Sequence, residues 1–207
     1  MRPNLNLLAR LGFVASLAAL GACAPSKEEP ARPAASSPAG PPGVSGKAPP
    51  GAIVTLDPVP ARDFPLPQGP AILDQYSKQF VPGLLIVRVG QAVEFRNSDE
   101  FGHNVIVNRR STGGAVFNTS LDTQQVHTHV FERAGEYAVT CDLHPGMLAT
   151  VFATATPFTA QVGPSGTYAI SDVPLGPYKV TLVLSGGGLK EQTVTVSSPR
   201  TELNLTP

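Results

Sequence analysis

The stretch Tyr137-Ala138-Val139-Thr140-Cys141-Asp142-Leu143-His144-Pro145-Gly146-Met147 governs how the rest of the chain is read. It reads as the end of a strand carrying Cys141, followed at once by a tight loop that brings back His144 and Met147. A thiolate, an imidazole and a thioether within so short a span form a soft, metal-binding set. Adding one imidazole from elsewhere makes two His, one Cys and a weak axial Met, the ligand combination of an electron-transfer copper centre. The upstream candidate is His103, in Phe101-Gly102-His103-Asn104-Val105-Ile106-Val107.

Working outward, the surroundings read as short strands between turns. Leu84 to Val89 is a strand-like run interrupted only by Arg88, Gly90 is a turn, and Ala92 to Arg96 alternates faces. Asn97-Ser98-Asp99 is a turn cluster, and the next strand is expected from Asn104. Arg109 to Gln125, with Gly113-Gly114 and few apolar residues, reads as a longer loop. Val126 to Arg133 alternates, Ala134-Gly135 turns, Glu136 to Thr140 runs into Cys141, and Leu148 to Ala153 is the last strand of the segment. The 20 glycines and 22 prolines punctuate runs of Val, Ile, Thr and Phe, which predicts an all-β chain. The 15 Lys plus Arg balance the 15 Asp plus Glu, so no global field favours nucleic acid or an anionic membrane surface.

The elements Phe80-x-Pro82, Gly90, Val93-x-Phe95-x-Asn97, His103-Asn104-Val105, Gly135-x-Tyr137 and Cys141-x-x-His144-x-x-Met147 resemble the cupredoxin family, in the order found in plastocyanin-like and amicyanin-like proteins. The spacing of His144 and Met147 is similar to the short-loop form of amicyanin. The resemblance implies a cupredoxin Greek-key β-sandwich over residues 60–154 holding one type 1 copper. It implies His103, Cys141 and His144 as ligands, Met147 as the long axial ligand, and Asn104 bridging the two ligand loops. Asp142 and Leu143 depart from the Thr-Pro or Glu-Pro pair common in relatives, which bears on the reduction potential and not on the ligand set. Zinc is the competing metal, since Cys and His suit it too; Met147 argues for copper. His127 and His129 form a His-x-His pair on one face of a strand. In multicopper oxidases that spacing feeds a catalytic cluster, which needs more histidines than the four in this chain.

The two ends carry different information. Met1 to Ala22 places Arg2 and Arg10 ahead of an apolar run too short to span a bilayer, so residues 1–22 read as an export signal. The ending Leu20-Gly21-Ala22-Cys23 resembles a bacterial lipobox, which implies cleavage before Cys23 and lipidation of its thiol. With Ala24 in place of Asp, that resemblance implies outer-membrane sorting. Pro, Ala, Gly and Ser dominate from Ala24 to Pro50. Such a stretch reaches roughly 30 Å as a coil or about 80 Å as extended polyproline. Residues 23–42 are assigned as the lipid-anchored linker.

At the other end, Gly166-x-Tyr168-x-Ile170-x-x-Val173-Pro174-x-Gly176-x-Tyr178-x-Val180 resembles the carboxypeptidase regulatory-like, transthyretin-like β-sandwich. Gln192 to Val196 and Glu202 to Leu205 alternate as further strands. Residues 155–207 are short for that fold, and residues 43–58 look like its missing first strands. The cupredoxin is therefore expected to be inserted into, or closely docked on, this small sandwich; the simpler alternative is two beads in series.

The function expected is a membrane-tethered periplasmic blue copper protein that passes single electrons between periplasmic redox proteins. The resemblance implies that they meet it transiently at the His144 face, near Pro145, Gly146 and Leu148. The alternative is copper delivery or storage without redox turnover; a third reading is a sandwich lipoprotein without metal. An enzyme is disfavoured because the single plausible metal site is fully ligated, whereas substrate activation needs an open position.

Overall fold

The computed structural model describes residues 43–185 and 187–207, so residues 1–42, with the export signal, Cys23 and the linker, lie outside the described residues. The described chain contains strands and no helix. In chain order the strands are β1 (Gly43–Lys47), β2 (Ile53–Pro58), β3 (Ala71–Tyr76), β4 (Gln79–Val81), β5 (Leu84–Arg88), β6 (Ala92–Asn97), β7 (His103–Arg109) and β8 (Ala115–Leu121). They continue with β9 (Val126–Val130), β10 (Gly135–Thr140), β11 (Leu148–Thr154), β12 (Thr159–Gln161), β13 (Thr167–Ser171), β14 (Gly176–Val183), β15 (Leu189–Val196) and β16 (Arg200–Glu202).

Two sheets enclose the first core. One runs β5-β11-β10-β7-β8 and the other β4-β3-β6-β9. Period-two alternation puts Val93 and Phe95 of β6, Val105 and Val107 of β7, and Tyr137 and Val139 of β10 inward, where they are buried together with Cys141 and Met147. Glu94 and Arg96 point to the other face of β6 and pair at its surface. The stretch read as a loop between Arg109 and Gln125 contains β8, a correction. This strand sits at the edge of its sheet, paired only with β7, so half of its residues face water and its Asn, Thr and Ser content reads as loop. β3 was not foreseen either. It lies parallel to β6 and brings Leu73 and Gln75 into the interior.

The second core lies between β12-β2-β14-β15 and β13-β1-β16. β1 pairs antiparallel with β13 and parallel with β16, and β2 pairs antiparallel with β12 and β14. The chain therefore leaves this sandwich after Pro58, builds the nine strands β3 to β11, and returns at Thr159. Glycine is required at Gly46, where a Cβ would collide with the carbonyl oxygen of Leu203. The two sandwiches meet through a small apolar seam in which Phe152 of β11 packs with Ile53 and Val183, flanked by Leu84 and Ile86. Polar bonds reinforce it. Thr156 Oγ1 donates to the carbonyl of Leu56 at 2.8 Å, and Arg88 Nη2 to the carbonyl of Ala155 at 2.8 Å.

Candidate metal centre

β10 pairs antiparallel with β7, with Thr140 opposite Ile106 and Val139 opposite Val107. The end of β10, and with it Cys141, thus lies beside the start of β7, where His103 is the first strand residue. β10 also pairs with β11, Thr140 opposite Leu148, so the residues between them must turn back tightly. They do so through two backbone bonds, Cys141 N–H to the Met147 carbonyl and Met147 N–H to the His144 carbonyl, both 3.3 Å. Gly146 makes the turn at φ +91°, left-handed backbone that a residue with a Cβ rarely adopts. The short loop therefore lifts His144 back over Cys141.

The result is a cluster in which one donor atom each from His103, Cys141 and His144 lies within 4.8 Å of the others. His103 Nδ1 is 3.8 Å from Cys141 Sγ and 3.0 Å from His144 Nδ1. Donors that each sit about 2.0–2.3 Å from one ion are about 3–4 Å apart, so these spacings fit a shared metal. His103 and Cys141 are buried, and His144 is half-buried. Met147 is 1% exposed and belongs to the same core as Cys141. One soft thiol and two imidazoles, with a thioether in the adjoining core, suit copper better than a hard cation. Among the described residues no other group of three or more His, Cys, Asp or Glu side chains converges in this way.

Asn104, next to His103, ties the two ligand segments together. Its Oδ1 accepts the backbone N–H of Asp142 at 3.0 Å, and its carbonyl accepts Gln75 Nε2 at 3.1 Å. Gln75 is fully buried, a tie from β3 that sequence reading missed along with β3 itself. Asp99 was read only as a turn residue, yet its Oδ2 lies 2.8 Å from His103 Nε2. The spacing Asp99-x-x-x-His103 was the available signal, but within a turn cluster it has no unique reading. Burial pushes the Asp99 carboxyl up, but the amides of Lys78 and Ser77 and the His103 ring outweigh it and hold it below the usual range. Burial and the neighbouring His103 ring hold His144 below its ordinary value, so it stays a neutral donor near neutral pH.

The outer surface of the cluster is apolar. Phe101 packs 5.1 Å from the His103 ring and 5.4 Å from the His144 ring, between centroids, and Lys78 Nζ lies 5.1 Å over Phe101. Leu143 and Leu148 are exposed nearby in sequence, on the loop and at the start of β11.

His127 and His129 lie on β9, and neither belongs to the group formed by His103, Cys141 and His144. The Phe117 ring is 4.7 Å from His127 and 4.8 Å from His129, so both imidazoles pack on one aromatic ring at the open edge between β8 and β9. Burial and the neighbouring His127 keep His129 below its ordinary pKa.

Residues 72–154, less than half of the chain, match the plastocyanin/azurin family of copper binding proteins. Fold, donor set and family match together support a copper-binding cupredoxin domain in this segment. Among solved structures, the reduced Cu(I) form of an amicyanin mutant is 24% identical, covering 49% of this chain and 98% of its own, with a TM-score of 0.39. A purple cupredoxin from Nitrosopumilus maritimus is 27% identical over 41% of this chain and 99% of its own, with a TM-score of 0.36. A copper-containing nitrite reductase from Thermus scotoductus SA-01 is 25% identical over 53% of this chain and 28% of its own, with a TM-score of 0.39. No curated protein matches the chain.

Proposed function

We propose that this chain is a membrane-tethered periplasmic type 1 copper protein that carries single electrons between redox partners. The observation that carries the reading is the convergence of Cys141, His103 and His144, with their donor atoms within 4.8 Å of one another beside the core that holds Met147. Copper, when bound, supplies a one-electron couple.

The chain's own residues account for the rest. Cys141 would hold the metal as thiolate, so metal uptake would release its proton. His103 and His144 present Nδ1 atoms that are already close together. The Asn104–Asp142 bond and the two bonds closing the 141–147 loop hold these donors at fixed positions, so little has to move when the charge at the site changes. Phe101, Leu143 and Leu148 offer apolar surface for small, transient contacts, which fits a carrier that must release each partner. With three protein donors and the Met147 thioether assigned to one ion, no position is left for a substrate, and we read the chain as a carrier and not an enzyme.

The tether belongs to the same proposal. Cys23 would carry the lipid, and the Pro/Ala-rich linker would let the domain reach partners across the periplasm. The small sandwich is read as a carboxypeptidase regulatory-like module, on the Gly166 to Val180 pattern that falls on β13 and β14. Palmitate incorporation that disappears in Cys23→Ala is expected; a mature protein starting at any other residue would rule out the lipid anchor.

The deciding experiment is a titration of the soluble form lacking residues 1–23 with Cu(II), followed by visible absorption and EPR. One equivalent is expected to give an intense red-absorbing thiolate-to-copper band and a narrow hyperfine splitting. A colourless, weakly held complex would move the weight to copper delivery or storage.

A further inference from the structure

We infer that Arg88, at the joint between the two sandwiches, anchors a second ligand site that takes a small organic carboxylate. The guanidinium holds the anion, and proline-rich walls hold its apolar body. The site uses none of the metal-centre residues.

Arg88 ends β5 and stands opposite Thr154, the last residue of β11, where the chain leaves the larger sandwich. Two connections join the sandwiches, residues 59–70 on the way out and 155–158 on the return. A pocket of about 300 Å³ lies between them at this joint. Arg88 and Gln91 line it from the larger sandwich, Pro65 and Leu66 from the outgoing connection, and Thr156 and Pro157 from the return. An occupant therefore touches both connections at once.

The arginine is 9% exposed, so its charge is taken almost wholly out of water. A charge so placed is costly unless a counter-charge answers it. Among the described residues none does. The guanidinium makes one hydrogen bond there, from Nη2 to the Ala155 carbonyl at 2.8 Å, and the buried Nε has no acceptor. Arg62 and Arg88 both lie over the Phe64 ring, 5.1 and 5.8 Å from its centroid, and neither stands in an ion pair with a described residue. An aromatic face offers a cation only a partial negative charge. Burial holds the Arg88 pKa below the ordinary arginine value, with no carboxylate to offset it. Two cations thus share one ring at a pocket that brings no acid to meet them.

The lining fixes the kind of anion. A guanidinium presents a planar fork of donors that matches a carboxylate. Gln91 Oε1 accepts the Arg88 backbone N–H at 3.1 Å, which leaves the Gln91 amino group to donate as well. The Thr156 hydroxyl is already taken, donating to the Leu56 carbonyl at 2.8 Å and accepting the Phe158 amide at 3.2 Å. Pro65, Leu66 and Pro157 are apolar. A mineral anion gains nothing from such walls, whereas a carboxylate on a short hydrocarbon body buries that body against them. The volume is at the lower end for ligand pockets, which keeps the body small. An arginine that merely bolted the joint would need the Ala155 bond alone. The unanswered Nε, the second cation and the pocket are what that role leaves over. Bound there, the carboxylate braces the joint between the sandwiches.

The test uses the protein lacking residues 1–23, labelled with ¹⁵N at arginine, near neutral pH. Sodium butyrate is titrated at constant ionic strength against sodium chloride, with inorganic phosphate as a separate arm. The Arg88 Nε–H resonance, assigned through its contacts to the Phe64 ring protons, is followed together with thermal unfolding. Butyrate is expected to shift that resonance saturably and to raise the unfolding temperature, as a ligand of the folded state must. Chloride and phosphate are expected to do neither. Arg88→Gln removes the charge and should weaken butyrate binding roughly tenfold or more, read as loss of the thermal shift. A wild-type resonance that butyrate does not shift saturably overturns the inference, even if Arg88→Gln fails to fold. A response to phosphate as strong as that to butyrate overturns the organic carboxylate. Butyrate binding of unchanged strength in Arg88→Gln places the ligand elsewhere and overturns the site.

Discussion

Cys141→Ser is expected to abolish the intense red-absorbing band on Cu(II) addition and to lower copper affinity by more than about 100-fold, beyond the range typical of a lost outer partner. The reason is the kind of atom, not its place. Serine keeps the size and the position at the end of β10, but a hydroxyl is a hard donor that stays protonated near neutral pH, whereas the thiol ionises as metal binds. Two neutral imidazoles and a thioether would remain, without an anionic donor. Cys141 is only 6% exposed, and the substitution changes its volume little, so the fold should survive. The measurement is the visible and EPR spectrum of the variant beside wild type, with thermal unfolding of both metal-free proteins as the control. His127→Ala is the companion variant. It alters the aromatic packing on Phe117 and should leave one copper per chain. A red-absorbing band that persists in Cys141→Ser would place the metal elsewhere.

Removal of residues 43–58 is expected to unfold the second sandwich while the strands of residues 72–154 remain protected. β1 lies between β13 and β16, and β2 lies between β12 and β14, so the deletion takes an interior strand from each sheet. It also removes Val44, Val54 and Leu56, each at most 1% exposed. At about 1.5–3 kcal/mol for each fully buried side chain, those three alone account for roughly 5–9 kcal/mol. That is comparable to the whole stability of an ordinary domain, about 5–15 kcal/mol. Amide hydrogen exchange reads the outcome. The β14 amides, bonded on both sides to β2 and β15, should exchange as in an unfolded chain. Slow exchange there in the truncated protein would mean that the C-terminal strands fold without their N-terminal partners.

The residues around the metal centre illustrate what can be read before folding. Cys141, His144 and Met147 are close in sequence, so residue type and spacing alone mark them as a set. His103 was nominated as the upstream imidazole, and the resemblance of His103-Asn104-Val105 to the cupredoxin pattern implied it as a ligand. Asp99 and Gln75 were not nominated. Their roles depend on which ring atom or carbonyl they face across β3, β6 and β7, and no local pattern encodes that. β3 and β8 escaped for a related reason. β3 mixes Asp74 and Gln75 into its run, and β8 is an edge strand with one wet face, so their membership shows only when partners are present to pair with them.

By itself, then, the sequence determined the all-β class, through short β-branched and aromatic runs cut by glycine and proline, and it marked His103, Cys141 and His144 as candidate donors, which the fold brings together. The tertiary structure alone decided how the strands are shared. Strand pairing is a contact between distant segments, and the likeness of residues 43–58 to first strands pointed to insertion or close docking without excluding tandem order. Only the register of β1 against β13 and of β2 against β14 shows the small sandwich divided around the larger one. The same holds for the carboxylate behind His103, whose bearing on the ring is set by a hairpin turn more than twenty residues away in the chain.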